Sequence, residues 1–399
     1  MSLKRVISTA RGIDKQWQRW RSPNRRRLLV NARTAMNYST IAPIVERMQR
    51  DKRLQFYFTS SENPALLESI FADAVQPFKF VTPLQASLIR FDVYLAADFL
   101  WMKLPRGARR VQTFHGVAGK YRTVYDSPAE SMRSWDRLFF INERRLRHFV
   151  ECGAIDENSQ AARLIGMPKL DCLVDGSLKR DELLASMGID PSRRTILYAP
   201  TWSAHSSVVS MGEELVTRLG EAGYAVIVKL HDRSRDLQFV NSGGVDWGVR
   251  LEPLLQRFGG VLATGTNSSN YLPAADIMIT DHSSVGFEYL LLDRPLIRIH
   301  VPELIKNTDI EPSYVELLAS ASTSVANVDE TIAAVERGFA EPRENSETRI
   351  AVAGEMFYKP GTATERAVNE LYELLELSTG LQDGHDLHVN PANQVNPVK

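Results

Sequence analysis

The chain has 399 residues, 44% hydrophobic and 24% charged, with 48 basic and 48 acidic side chains. That length favours two domains over one core, and the zero formal charge speaks against a nucleic-acid binder, which carries a basic excess. Cys152 and Cys172, the only cysteines, match no zinc spacing and are too few for a disulfide framework, which fits a reducing, cytoplasmic setting.

No run is long enough to span a bilayer, and the N-terminus lacks the continuous apolar core of a signal peptide. Residues 1–27 instead read as a basic amphipathic helix. Val6, Ala10, Ile13, Trp17 and Trp20 recur at helical spacing. Lys4, Arg5, Arg11, Lys15, Arg19 and Arg21 are interleaved with them, Arg25–Arg27 follow, and Asp14 is the only acidic residue before Glu46. Such a helix suits the surface of an anionic membrane, as a peripheral contact on the inner face. Its apolar stripe equally suits packing on its own protein or on a second subunit.

From Leu28 short apolar runs alternate with amphipathic stretches, the pattern of parallel strands joined by helices. Strands are predicted at 28–31, 54–59, 92–96, 111–114, 138–141 and 163–165, with a helix over 38–50. After a linker of mixed charge near 175–194 the alternation restarts. Strands are predicted at 195–198, 225–230, 261–264, 277–280 and 296–299, and helices at 212–222 and 285–292. A helix over 364–377, with Thr364 as its cap, closes the series. The expected fold class is α/β, two Rossmann-like lobes facing a cleft. The first lobe covers 28–185, the second, nucleotide-binding lobe 186–377, and residues 378–399 form a polar tail expected to be disordered.

Ligands in such sheets lie outside the carboxyl ends of the strands, and four segments place reactive side chains there. Ile277–Thr280 runs into Asp281, His282, Ser283 and Ser284 as a helix opens, with Glu288 a turn later. Helix N-termini offer amide donors and a positive dipole end, and hydroxyls add further donors, which suits a phosphate; a helix-capping serine would use the same geometry. Phe114 leads into His115 and Gly116, with Lys120 beyond. His115 is a candidate general base, because an imidazole titrates near neutrality, and Lys120 could meet an anion. Val228 leads through Lys229 to His231 and Arg233, a cationic strand end. Tyr198-Ala199-Pro200-Thr201 ends the first strand of the second lobe, where Thr201 could donate to a nucleotide or cap a turn.

Together these segments resemble the CDP-glycerol glycerophosphotransferase family, the teichoic-acid primases and polymerases of bacterial cell walls. The family's His-Gly with a following lysine, Tyr-Ala-Pro-Thr, Lys-x-His, and Thr-Asp-Tyr-Ser-Ser with an acidic residue four places on appear here in order. They read His115-Gly116 with Lys120, Tyr198–Thr201, Lys229–His231, and Thr280–Ser284 with Glu288. Phe357–Gly361 is similar as well, and the resemblance covers most of 110–375. Three departures stand out: Val117-Ala118-Gly119 for the family's Thr-Pro stretch, Asp232 for proline, and His282 for tyrosine.

The resemblance implies a glycosyltransferase-B-like fold and transfer of an alditol phosphate from a CDP-linked donor to a glycan or lipid-linked acceptor, with CMP leaving. It implies His115 and His231 as catalytic residues. Thr201, Lys229, Asp281, Ser283, Ser284 and Glu288 would bind the donor, and Gly116, Lys120, Arg233 and His282 would line the cleft. No metal and no cofactor is expected, since no Asp-x-Asp pair ends a strand. Two rivals stand beside this reading: a sugar-nucleotide glycosyltransferase or UDP-sugar epimerase on the same fold, and a non-catalytic relative that binds a glycan or partner enzyme.

Overall fold

A computed structural model describes residues 24–379, except 106, 118–131, 266 and 309, together with Thr9, Gly12 and Ile13. Of the expected helix over 1–27, only Thr9, Gly12, Ile13 and 24–27 are among the described residues, and Arg26 and Arg27 belong to the first strand and not to a helix; the tail beyond Thr379 lies outside the described residues. Two parallel sheets form the framework. The first contains β1 (Arg26–Asn31), β2 (Leu54–Thr59), β3 (Lys79–Phe80), β4 (Val93–Ala97), β5 (Arg109–Thr113), β6 (Arg137–Phe140) and β7 (Ala162–Leu164), in the order β3-β2-β1-β4-β5-β6-β7. The second contains β8 (Thr195–Tyr198), β9 (Ala225–Val228), β10 (Val261–Leu262), β11 (Ile277–Thr280), β12 (Leu296–Ile299) and β13 (Thr323–Val325), in the order β10-β9-β8-β11-β12-β13. The strand order turns back beside β1 in one sheet and beside β8 in the other. Crevices therefore open at the carboxyl ends of β1/β4 and β8/β11, the switch points where such folds bind ligands.

The strands read as continuous apolar runs because both faces are covered. In the second lobe Ile277, Ile279, Ile297 and Ile299 face Val208, Leu215 and Leu219 of helix α3 (Ser207–Glu221). The alternate residues Met278 and Leu296 face Phe287 of α4 (Val285–Leu290) and Tyr314 and Leu318 of α5 (Pro312–Ser320). That second cluster continues into the first lobe through Phe114 and Phe140. Two first-lobe helices precede these, α1 (Ala35–Gln49) and α2 (Glu143–Glu151), capped by the side chains of Thr34 and Asn142.

The last helices among the described residues are α6 (Ser346–Met356) and α7 (Ala363–Leu375). Although 186–377 was expected to form one unit, α7 crosses back to the first lobe. It buries Ala367, Val368, Leu371 and Leu375 with Leu28, Val30, Ile41 and Val45. Thr364 is not its cap. The Asp171 carboxylate accepts hydrogen bonds from the amides of Gly361 (2.9 Å), Ala363 (3.1 Å) and Thr364 (2.7 Å), placing a negative charge at the positive end of the helix. The lobes are tied further by Asn142 Nδ2, which donates to the Met356 carbonyl at 2.8 Å, and by the Arg144–Glu355 ion pair at 3.0 Å. β3, β13, α2, α5 and α6 were not predicted.

Candidate active site

In the first lobe β4 and β5 are neighbours, so the residues that follow them meet. Asp98 follows β4, and its carboxylate lies against Nδ1 of His115 and also accepts the His115 backbone N–H at 3.1 Å. Asn37, on α1, donates to the same carboxylate. Asp98 and Phe99 both adopt left-handed backbone (φ 60° and 58°), which a bulky Phe rarely does. That strained pair turns the chain so that the carboxylate reaches across to β5. Burial disfavours the charged form of Asp98, but its contacts with His115 and the nearby Arg145 charge outweigh burial and hold its pKa below the usual carboxylate value. Arg145 stacks over Phe114 with its guanidinium 3.8 Å from the ring centre and donates to the Gly116 carbonyl at 3.2 Å, fixing the turn after His115. Lys120 lies outside the described residues. Asp98 and Arg145 were missed by sequence reasoning.

In the second lobe β9, β8 and β11 are adjacent, so His231, Thr201 and the Ser283–Ser284 turn emerge side by side. Strand spacing of about 4.8 Å puts the ends of the outer two strands roughly 10 Å apart. His231 Nδ1 accepts the Arg233 amide at 3.1 Å, so in the neutral ring the proton sits on Nε2. Arg233 stacks on Trp202, 4.3 Å from the ring centre. Lys229 donates from Nζ to the Leu230 carbonyl at 2.8 Å, and burial pulls its pKa down.

Asp281 is fully buried and turns away from the cleft. Its carboxylate accepts the Thr201 amide (2.8 Å), the Ser207 amide (3.1 Å) and the Ser207 hydroxyl (3.0 Å). It clamps the loop after β8 and the start of α3. Glu288 is likewise engaged: its Oε1 meets Lys169 Nζ at 2.6 Å, both side chains being buried. Lys169 follows Gly166, whose φ of +88° and whose would-be Cβ, 2.5 Å from the Tyr358 carbonyl, leave no room for a larger residue. In this structure both carboxylates brace the protein, Asp281 through the Thr201 loop and Ser207, Glu288 through Lys169. His282 is fully buried, with Nε2 3.5 Å from Arg298.

Ser283 and Ser284 are half-buried at the opening of α4. Ser284 occupies the N-cap position, but its hydroxyl makes no capping hydrogen bond, so the simple capping explanation for this serine does not hold. No group of three or more His, Cys, Asp or Glu side chains able to hold a metal ion occurs among the described residues. No helix among them is long and apolar enough to cross a membrane.

A family model described as CDP-glycerol:poly(glycerophosphate) glycerophosphotransferase matches residues 24–373. Among characterised proteins, the chain is 24% identical over 238 residues to the teichoic acid poly(ribitol-phosphate) polymerase of Bacillus spizizenii. That match covers 54% of this chain and 36% of the polymerase, so it spans about a third of the relative's length. Among solved structures, a variant of the wall teichoic acid polymerase TagF soaked with CDPG is similar with a TM-score of 0.66 and 17% identity, covering 93% of this chain and 94% of that one. The UDP-GlcNAc 2-epimerase of Methanocaldococcus jannaschii is similar with a TM-score of 0.54 and 16% identity, covering 87% and 99%. At these identities the structural likenesses speak for the fold, two α/β lobes of the glycosyltransferase-B-like kind.

Proposed function

The chain belongs to the CDP-glycerol:poly(glycerophosphate) glycerophosphotransferase family, and from that premise we propose that it transfers an alditol phosphate from a CDP-linked donor to a hydroxyl of a glycan or lipid-linked acceptor in cell-envelope polymer synthesis. The observation that carries this reading is the opposite setting of two histidines. The Asp98 carboxylate lies against Nδ1 of His115, so a ring proton held there would face a negative charge and leave Nε2 as the basic nitrogen. His231 uses Nδ1 as an acceptor, which makes Nε2–H a donor. One ring is thus set to take a proton, the other to give a hydrogen bond.

In the proposed reaction His115 Nε2 removes the acceptor O–H proton as that oxygen attacks the phosphorus carrying the alditol. The bridging P–O bond breaks, and its electrons leave with CMP. His231 Nε2–H, Thr201, Ser283 and Ser284 stabilise the charge that develops on the phosphates. Asp98 and Arg145 orient the base; Asp281 holds the Thr201 loop in place.

Residues 1–27 would bring the enzyme to an anionic membrane surface where a lipid-linked acceptor resides. Loss of liposome co-sedimentation when residues 1–23, which end before β1, are removed would support this role; unchanged binding would remove it. The activity is tested by incubating the protein with CDP-glycerol, CDP-ribitol, UDP-GlcNAc or UDP-glucose and following nucleotide release. Release of CMP but not UDP supports the reading; UDP formation alone would replace it with a sugar-nucleotide activity.

A further inference from the structure

Arg298 is the third residue of β12, inside the buried run Leu296-Ile297-Arg298-Ile299. Its side chain is only 5% exposed. One guanidinium nitrogen donates to the Ser324 hydroxyl at 2.7 Å, another lies 3.5 Å from His282 Nε2, and Nε has no hydrogen-bond partner. No Asp or Glu among the described residues pairs with it, and burial alone pulls its pKa below the ordinary arginine value. A buried guanidinium without a counter-charge is costly to maintain. Its planar fork of donors matches an oxyanion.

The register shows where such an anion would sit. Arg298 pairs with Thr280, the last residue of β11. Alternation along the strands puts Arg298 and His282 on the face covered by α4 and α5, while Asp281 points to the opposite face, toward Ser207. Arg298 is therefore one strand, about 5 Å, from the chain that opens into Ser283, Ser284 and α4. The His300 ring, on the same strand face, lies 6.4 Å from that of His282. Two imidazoles, a hydroxyl and a cation without a carboxylate partner converge beside the serine turn.

We propose that Arg298, with His282, His300 and Ser324, forms an oxyanion subsite that holds the donor's diphosphate from beneath the Ser283–Ser284 turn. This rests on the donor reading given above for the identity of the ligand, but not for the presence of an anion site. The glycine-free turn then contributes hydroxyls from one side and Arg298 contributes charge from the other. His282, where the resembled family has tyrosine, would be a hydrogen-bonding member of the subsite.

The test uses the full-length protein and its Arg298→Met and Arg298→Lys variants, with binding of inorganic pyrophosphate, inorganic phosphate, CMP and CDP-glycerol measured by calorimetry and melting temperature followed in parallel. Arg298→Met should melt at or above the parent temperature, because it removes a buried charge that has no ion-pair partner. It should bind pyrophosphate and CDP-glycerol roughly 10- to 100-fold more weakly, with Arg298→Lys between the two. If Arg298→Met binds pyrophosphate within twofold of the parent, or melts well below it, the subsite is refuted and Arg298 is structural. If pyrophosphate binding falls but CDP-glycerol never binds the parent, the subsite stands and the CDP-donor reading fails. If CDP-glycerol binds parent and Arg298→Met equally, the subsite fails while the donor reading stands.

Discussion

Replacing Asp281 by alanine should loosen the second lobe at the point where β8, β11 and α3 meet. The carboxylate satisfies two buried backbone amides, those of Thr201 and Ser207, and the Ser207 hydroxyl, itself 2.9 Å from the Tyr198 hydroxyl. Each buried donor left without an acceptor costs about 1–3 kcal/mol. Two orphaned amides therefore predict a loss of about 2–6 kcal/mol, a large part of the ~5–15 kcal/mol that holds an ordinary domain folded. The hydroxyl can rotate to another partner and adds less. Urea unfolding followed by far-UV circular dichroism reads the difference, provided the slope with denaturant is unchanged. Asp281→Asn should lose less, because one amide oxygen still accepts while its NH2 group opposes the remaining donors. An Asp281→Ala protein within about 0.5 kcal/mol of the parent that had nonetheless lost donor affinity would refute this reasoning and restore Asp281 as a ligand.

Ser284→Ala should leave melting temperature nearly unchanged, since the hydroxyl makes no capping bond, yet weaken donor binding; a fall in stability of ~1 kcal/mol would mark it as a cap. Removing one partner of the buried Lys169–Glu288 pair, as in Lys169→Met, should cost about 3–5 kcal/mol, whereas Lys169→Met with Glu288→Leu should recover most of it; chemical denaturation of all three proteins completes the cycle. Asp98→Asn should lower kcat by roughly 10²–10⁴-fold, the range for disabling a general base, with KM little changed; a KM effect alone would deny Asp98 its positioning role. Because the folded-state pKa of Asp98 lies below the usual carboxylate value, its charge contributes stability that is present above about pH 4 and lost as pH falls through the folded pKa. The parent should therefore lose stability below pH 4 faster than Asp98→Asn, as acid titration of the melting temperature would show.

The strand framework was readable wherever a strand is buried on both faces. β2, β8, β11 and β12 fall where the continuous apolar runs place them. β9 ends at Val228, two residues short of the apolar run, because Leu230 turns into the core beyond the ladder. The two-residue β3 and β10 carry too little pattern to define their extent, and the β10 prediction ran two residues long. Sequence placed His115, His231 and the serine turn at strand ends, which are local facts. It missed the partners that fold back from elsewhere: Asp98 is seventeen residues before His115, and Asp171 caps a helix nearly two hundred residues later. The internal partners of Asp281 and Glu288, Ser207 and Lys169, were out of reach for the same reason, since they lie 74 and 119 residues away in the chain. Arg298 did leave a signal, a lone cation in an otherwise apolar strand.

In the proposed reaction His115, set by Asp98, removes the acceptor proton so that CMP leaves a CDP-linked donor. Single-turnover release of CMP from CDP-glycerol in the presence of a polyol-phosphate or lipid-linked acceptor, compared between the parent and His115→Ala, tests it most directly. The parent should release CMP, and His115→Ala should do so roughly 10²–10⁴-fold more slowly with donor affinity retained. Equal rates in the two proteins would contradict it.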